Sequence, residues 1–176
     1  EEVAERIDKA VFPGMQGGPH MNTVAAKAVA FKEARQDSFS DYTDQVVANA
    51  QAMAEVFSDN DVTLIAGGTE NHLLLIDAVD SFGISGGQAQ EVLEDIGITA
   101  NKNVIPDDDR NPMDPSGLRI GTPAITTRGF DEQTCRQVAA MICDVLENSE
   151  DKTVKEEAEK QVKEFTKNNP IPESLI

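Results

Sequence analysis

The sequence predicts an α/β chain in which long helices lead and a small α+β domain follows, ordered strand, strand, helix, strand, strand, helix, helix. Three observations carry that expectation. Apolar residues recur at helical spacing over residues 1–10, 21–34, 40–57, 85–96 and from 131 to 165, the 3.6-residue signature of a buried helix face. Short apolar runs bounded by glycine and polar residues fall at Val62–Ile65, His72–Ile76, Ile98–Val104 and Leu118–Gly121, as strands do. Hydrophobic residues make up 39% of the 176 and are spread along the whole length, enough for one core and a leading segment.

In order, EEVAERIDKA places Val3, Ile7 and Ala10 on one side of a helix that begins abruptly, without an obvious cap. VFPGMQGGPH, rich in glycine and proline, turns the chain, and MNTVAAKAVAFKEA restores a helical face with Val24, Ala28 and Phe31; Pro19 is expected in its first turn. Residues 36–39 read as a bend before a long helix from Ser40 to Phe57, striped by Val46, Ala50, Met53 and Phe57. Two strands joined by AGGTEN follow, and Ser85 caps a helix to Ile96 that Gly97 closes. Two further strands flank the polar loop IPDDDRNPMDPSG. Asp131 caps a helix with Val138, Ile142 and Val145 inward, and Val154, Ala158, Val162 and Phe165 mark the last one. The expected division is residues 1–37, a glycine turn and helix, and residues 38–176, a connecting helix and the small domain.

Thirty-two acidic against 15 basic residues give a net charge of −17 and an isoelectric point near 4.3. Such a surface repels phosphate backbones, which argues against nucleic acid and anionic membranes as partners. The acids are scattered rather than gathered in a tail, which reads as a solvated, salt-adapted surface. Cys135 and Cys143 lie eight residues apart on one helix, about 12 Å by helical rise, too far for a disulfide. They read as small core residues in a reducing compartment. No apolar run approaches the roughly 20 residues of a membrane span and no signal-peptide pattern opens the sequence, so a cytoplasmic location is expected.

Three segments have chemical possibilities. Gln16-Gly17-Gly18-Pro19 precedes a helix, and glycines there let backbone N–H groups approach an anion; taken alone, such a turn is more often simply structural. Arg119 sits among apolar residues in GLRIG, where its planar fork suits a carboxylate, either a ligand's or that of a structural salt bridge. Asn101-Lys102-Asn103 ends a strand, a common place for ligand contacts. His72 reads as a satisfied core histidine, and Arg128, Asp77 and Asp80 read as structural. No nucleophile elbow, phosphate loop or dinucleotide fingerprint is present.

VFPGMQGGPHMNTVAAKAVAFKEA, GGTENHLLLID, ITANKN and GLRIGTPAITTRGF, colinear from about residue 10 to residue 147, resemble the C-terminal part of serine hydroxymethyltransferases. The resemblance implies the small C-terminal domain of a fold-type I pyridoxal 5'-phosphate (PLP) transferase, preceded by large-domain helices. It also implies a homodimer or dimer of dimers that interconverts serine and glycine with tetrahydrofolate as one-carbon carrier. Gly17 and Gly18 then meet the PLP phosphate of the neighbouring subunit, Arg119 holds the carboxylate of serine or glycine, and Asn103 contacts folate. Asn111-Pro112-Met113 stands where the family commonly has Ser-Pro-Phe beside the folate.

The family's Schiff-base lysine lies in a Thr-rich His-Lys segment that these residues do not include; Lys9, Lys27, Lys32 and Lys102 stand in other contexts. The 176-residue chain alone is therefore expected to be inactive and to carry no PLP Schiff base. Stoichiometric, borohydride-trappable PLP on one lysine would overturn this. A PLP-dependent threonine-type aldolase, sharing the arginine but not the folate contacts, and a non-catalytic dimerisation module are the alternatives.

Overall fold

In the computed structural model, which describes residues 1–173, the chain divides into two units, Glu1–Asp41 and the residues from Tyr42 onward. The first holds α1 (Glu2–Lys9) and α2 (Met21–Ala34), joined by a turn through Ala10–Met15, and the start of α3 (Asp37–Asp59). Glu2 and Glu5 open α1 while Arg6 and Lys9 close it, matching the helix dipole at both ends. Every residue of this unit is exposed, including Val3, Phe12, Met15 and Phe31. Pro19 lies outside α2, not in its first turn: His20 is extended (φ −74, ψ 113) and the helix begins at Met21.

The second unit is built on β1 (Leu73–Asp77), β2 (Asn101–Asn103) and β3 (Gly117–Gly121), in the order β1-β3-β2 and antiparallel throughout. The sheet is therefore that of an α+β domain rather than of a parallel α/β fold. Alternation along the strands turns Leu74, Ile76, Leu118 and Ile120 into the core, where α5 (Gly86–Asp95), α7 (Glu132–Glu147) and the later turns of α3 supply Leu93, Ile142, Leu146 and Phe57. Ser85 caps α5 with a reciprocal Gln88 contact, and Asp131 caps α7, as the sequence signalled.

Two expected strands are shorter than their apolar runs. Val62–Ile65 keeps one bridge, Leu64 to Ile76, before the chain turns through Ala66 at φ 65. Ile98 is spent on the end of α5, its N–H donating to the Leu93 carbonyl at 2.9 Å, so pairing starts only at Asn101. Two five-residue helices, α4 (Ala78–Phe82) and α6 (Pro123–Thr127), were not foreseen; five residues are too few to show a period. Asp77 caps α4 and Pro123 opens α6 at its first turn.

The last helix, α8 (Lys152–Asn168), packs on α7 through Ala158 and on Phe130 through Phe165, ring centroids 6.1 Å apart. Arg128 donates to the carbonyls of Asn169 (2.8 Å) and Thr166 (3.0 Å), a cation on a helix C-terminus, which makes it structural. Cys135 and Cys143 are free and buried. Burial first, then nearby carboxylates, push their thiols up to about 12 and about 11, which leaves them unreactive.

The described residues form five ion pairs, each with an exposed carboxylate, against 32 acidic residues. Such pairs are worth about 0 to 1 kcal/mol each, so repulsion among surplus carboxylates outweighs them. Between 0.1 and 1 M salt the screening length falls from about 10 Å to about 3 Å. A thermal melt of the chain is expected to rise in temperature across a KCl series from 0.1 to 2 M; a flat or falling series would mean the acids are already compensated.

Candidate functional site

Arg119 is the middle residue of the central strand, opposite Leu75 of β1 and Asn101 of β2. Its side chain is on the open face, because its neighbours Leu118 and Ile120 take the buried one. The apolar context of the sequence is thus the other face of the same strand, and the guanidinium is exposed rather than desolvated. Among the described residues it makes no ion pair and no side-chain hydrogen bond, so the salt-bridge alternative finds no partner.

A cleft of about 700 Å³ opens around it, lined by Ala66, Gly68, Glu70, Leu75, Asn103 and Arg119 among others. The wall facing the sheet is the turn 65–71, which the strand itself holds. Thr69 Oγ1 donates to the Leu73 carbonyl at 2.6 Å, and the Leu73 N–H donates to Asn71 Oδ1 at 2.8 Å. Ala66, Gly67 and Gly68 all take positive φ (65, 72 and 152), a sharp turn to which the two glycines lend themselves without a Cβ. These wall residues were not singled out in the sequence, although short polar residues two and four positions before a strand are the signal for such a turn.

Asn103 is half-buried and enters the same cleft, its Nδ2 donating to the Val104 carbonyl at 2.7 Å. It pairs with Gly117, where a Cβ would come within 2.3 Å of the Asn103 carbonyl oxygen and 2.5 Å of Ile105 Cγ2. The strands therefore meet here only because position 117 lacks a side chain. A guanidinium uncommitted among the described residues, lining a cleft with a carboxamide and leucine, has the donors that two parallel bonds to a small carboxylate require.

The structure does not bring Asn111, Pro112 and Met113 to that cleft. They are exposed on the loop between β2 and β3, where the Met113 N–H donates to Asn111 Oδ1 (2.9 Å) and Lys102 Nζ donates to the Met113 carbonyl (2.6 Å). The root of the loop is Asp108, which accepts from Ser116 N (3.0 Å), Ser116 Oγ (2.8 Å) and Arg110 N (3.1 Å). The backbone bond from Ser116 is the largest of the influences that hold its carboxyl down at about 2, against an ordinary 3.8. Because the folded value lies below the unfolded one, this contribution is complete above about pH 4 and is lost as pH falls toward 2. Amide exchange of residues 105–116 is expected to accelerate over that window ahead of the core, and Asp108→Asn should reduce the pH dependence to the part that Asp114, also held down by its bonds to Ser85 and Arg110, contributes; a loop unaffected by either would place its anchor elsewhere.

His72 is exposed rather than in the core. Its carbonyl, not its ring, is used, accepting from Thr122 N at 3.1 Å, because it stands just before β1 on the open edge. Asp80 accepts from Thr63 Oγ1. Gly17 and Gly18 belong to the first unit, ahead of α2, whose N-terminus has no side-chain cap. Neither has positive φ, and a Cβ on either would meet nothing within 4 Å. Nothing in their own unit therefore requires glycine, and their open backbone beside uncapped N–H groups suits a phosphate. Among the described residues no cluster of His, Cys, Asp or Glu fits a metal ion, and no helix is long and apolar enough to cross a membrane.

A model of the serine hydroxymethyltransferase family matches residues 1–142. Among curated proteins, serine hydroxymethyltransferases from Natronomonas pharaonis (48% identical over 172 residues), Lactobacillus acidophilus (47% over 171) and Marinobacter nauticus (48% over 171) each match 97% of this chain. The chain spans 41% of the length of each of these relatives.

Proposed function

Since the chain belongs to the serine hydroxymethyltransferase family, we propose that it is the part of a PLP-dependent hydroxymethyltransferase that grips the amino-acid substrate by its carboxylate. The whole protein would transfer the hydroxymethyl group of serine to tetrahydrofolate, leaving glycine, as a homodimer or dimer of dimers. The observation that carries this reading is the Arg119 guanidinium, exposed in an open cleft with its donors uncommitted. Two parallel N–H···O bonds from it would fix the carboxylate plane, and with it the direction of the bonds at the neighbouring carbon. PLP, when bound, supplies the electron sink that lets one of those bonds break.

Gly17 and Gly18 would lend backbone N–H groups to the PLP phosphate of the neighbouring subunit. Asn103 would contact the folate, with Asn111, Pro112 and Met113 presented on their anchored loop beside it. Residues 1–37 would belong with the large domain and residues 38–176 would form the connecting helix and small domain. Assay of the full-length protein with serine tests the reading: glycine should appear only when tetrahydrofolate is supplied. Cleavage of threonine without folate, and no turnover of serine, would instead identify the aldolase.

A sharper expectation concerns Gly18→Ala. The added methyl has open space and an ordinary φ, so the melting of the isolated chain should stay within about 0.5 kcal/mol of wild type. PLP retention by the full-length protein should nevertheless fall, measured by dialysis and absorbance. Unchanged retention would detach Gly18 from the phosphate.

A further inference from the structure

The turn that follows Arg119 is fastened to α3 by a buried polar chain that the proposed reaction does not by itself require. Asn49, fully buried, donates from Nδ2 to Thr126 Oγ1 (2.9 Å) and to the Phe130 carbonyl (2.9 Å), while its Oδ1 accepts from Gln45 Nε2 (2.9 Å). Thr126 Oγ1 donates on to the Thr122 carbonyl (2.9 Å). Thr122, also fully buried, donates from Oγ1 to the Val46 carbonyl (2.8 Å) and from its N–H to the His72 carbonyl (3.1 Å). One turn earlier on the same face of α3, the Tyr42 hydroxyl donates to the Pro123 carbonyl at 3.2 Å.

Positions 42, 45, 46 and 49 form one stripe of α3, and hydrogen bonds join each of them to residues between 122 and 132. No buried side-chain donor or acceptor among the described residues lacks a partner. Apolar packing would hold α6 against α3 with less cost of desolvation, but it would not fix sliding or rotation; directional bonds between fully buried groups do. Thr122 lies three residues after Arg119 and joins the end of β3 to His72, the residue just before β1. The strand that carries the guanidinium and its neighbour β1 are thereby set against α3.

We infer that Asn49, acting through Thr126 and Thr122, is a positioning residue for the Arg119 carboxylate site. This rests on the reading of Arg119 given above. Thr126→Val keeps the shape of the side chain but leaves Asn49 Nδ2 only the Phe130 carbonyl of its two acceptors, and Thr126→Ser keeps the hydroxyl. Leu93→Ala, a destabilising core change on α5 outside this chain of bonds, is the control for lost stability.

In the 176-residue chain, Asn49→Asp and Thr126→Val are expected to accelerate amide exchange at residues 117–122 more than at 86–95, whereas Leu93→Ala should do the reverse. In the full-length protein, Asn49→Asp and Thr126→Val should raise the KM for serine roughly three- to thirty-fold with kcat nearly unchanged. Thr126→Ser should restore it and Leu93→Ala should leave it alone. If Asn49→Asp does not fold, Thr126→Val with its serine rescue decides. Uniform exchange, or an equal KM for the Thr126→Val, Thr126→Ser and Leu93→Ala proteins, would reduce Asn49 to a stabilising residue while Arg119→Lys still raises KM. An Arg119→Lys protein with wild-type kinetics would remove the reading of the site, and this inference with it.

Discussion

Arg119→Lys in the full-length protein is expected to lower kcat/KM for serine by about 2 to 4 kcal/mol, roughly 30- to 1,000-fold. An ammonium offers a point charge where the guanidinium offers two parallel donors, and it cannot fix the plane of a carboxylate. Stability should change little. The side chain is exposed, and among the described residues it has no ion-pair partner to lose; surface substitutions of this kind usually stay within about 0.5 kcal/mol. Steady-state kinetics beside a thermal melt separates the two effects. Unchanged kinetics with a clear drop in melting temperature would make Arg119 a structural residue after all.

Gly86→Ala should have the largest effect on folding. Gly86 is the first residue of α5, and a Cβ there would lie 1.9 Å from the Gly117 carbonyl oxygen and 2.7 Å from its carbon. The Gly86 N–H also donates to the Pro115 carbonyl at 2.8 Å, so the helix cannot lift away without losing that bond. The obstruction is backbone, which no rotamer change relieves, so the cost should reach or exceed about 3 kcal/mol, the upper end for overpacking. Gly87→Ala is the control. Its Cβ would meet the Asp114 carboxylate at 2.6 Å, the end of a half-exposed side chain whose pair with Arg110 is also exposed, so moving it should cost less than about 1 kcal/mol. Urea denaturation of the chain compares them. Equal midpoints for Gly86→Ala and wild type would show that the start of α5 can shift freely against β3.

The long elements of the second unit were legible because their signals are local. α3, α5, α7 and α8 each carry an apolar stripe, and the Ser85 and Asp131 caps need only residues within one turn. The edge strand was misjudged in length because an apolar run does not say where hydrogen-bond partners end. Ile98 is apolar like a strand residue yet completes the end of α5. α4 and α6 were missed because five residues contain no repeat to read.

The candidate site divides the same way. Arg119, Asn103, Gly17 and Gly18 could be picked out from residue type and setting, and four colinear motifs carried the resemblance that the family match then established. Composition likewise fixed the acidic surface before any fold was known. The sequence could not say that Arg119 is exposed, that the turn 65–71 forms the wall opposite it, or that His72 lies on the surface rather than in the core. Nor could it say that Asn49, a polar residue beside the apolar stripe of α3, reaches Thr126 and Phe130 some 77 and 81 residues away. Periodicity reports which face of an element is apolar, a property of neighbours three or four residues apart. Which strand pairs with which, which side chain faces the open side, and which buried amide finds which carbonyl depend on contacts between residues far apart in sequence, and only the tertiary structure decides them.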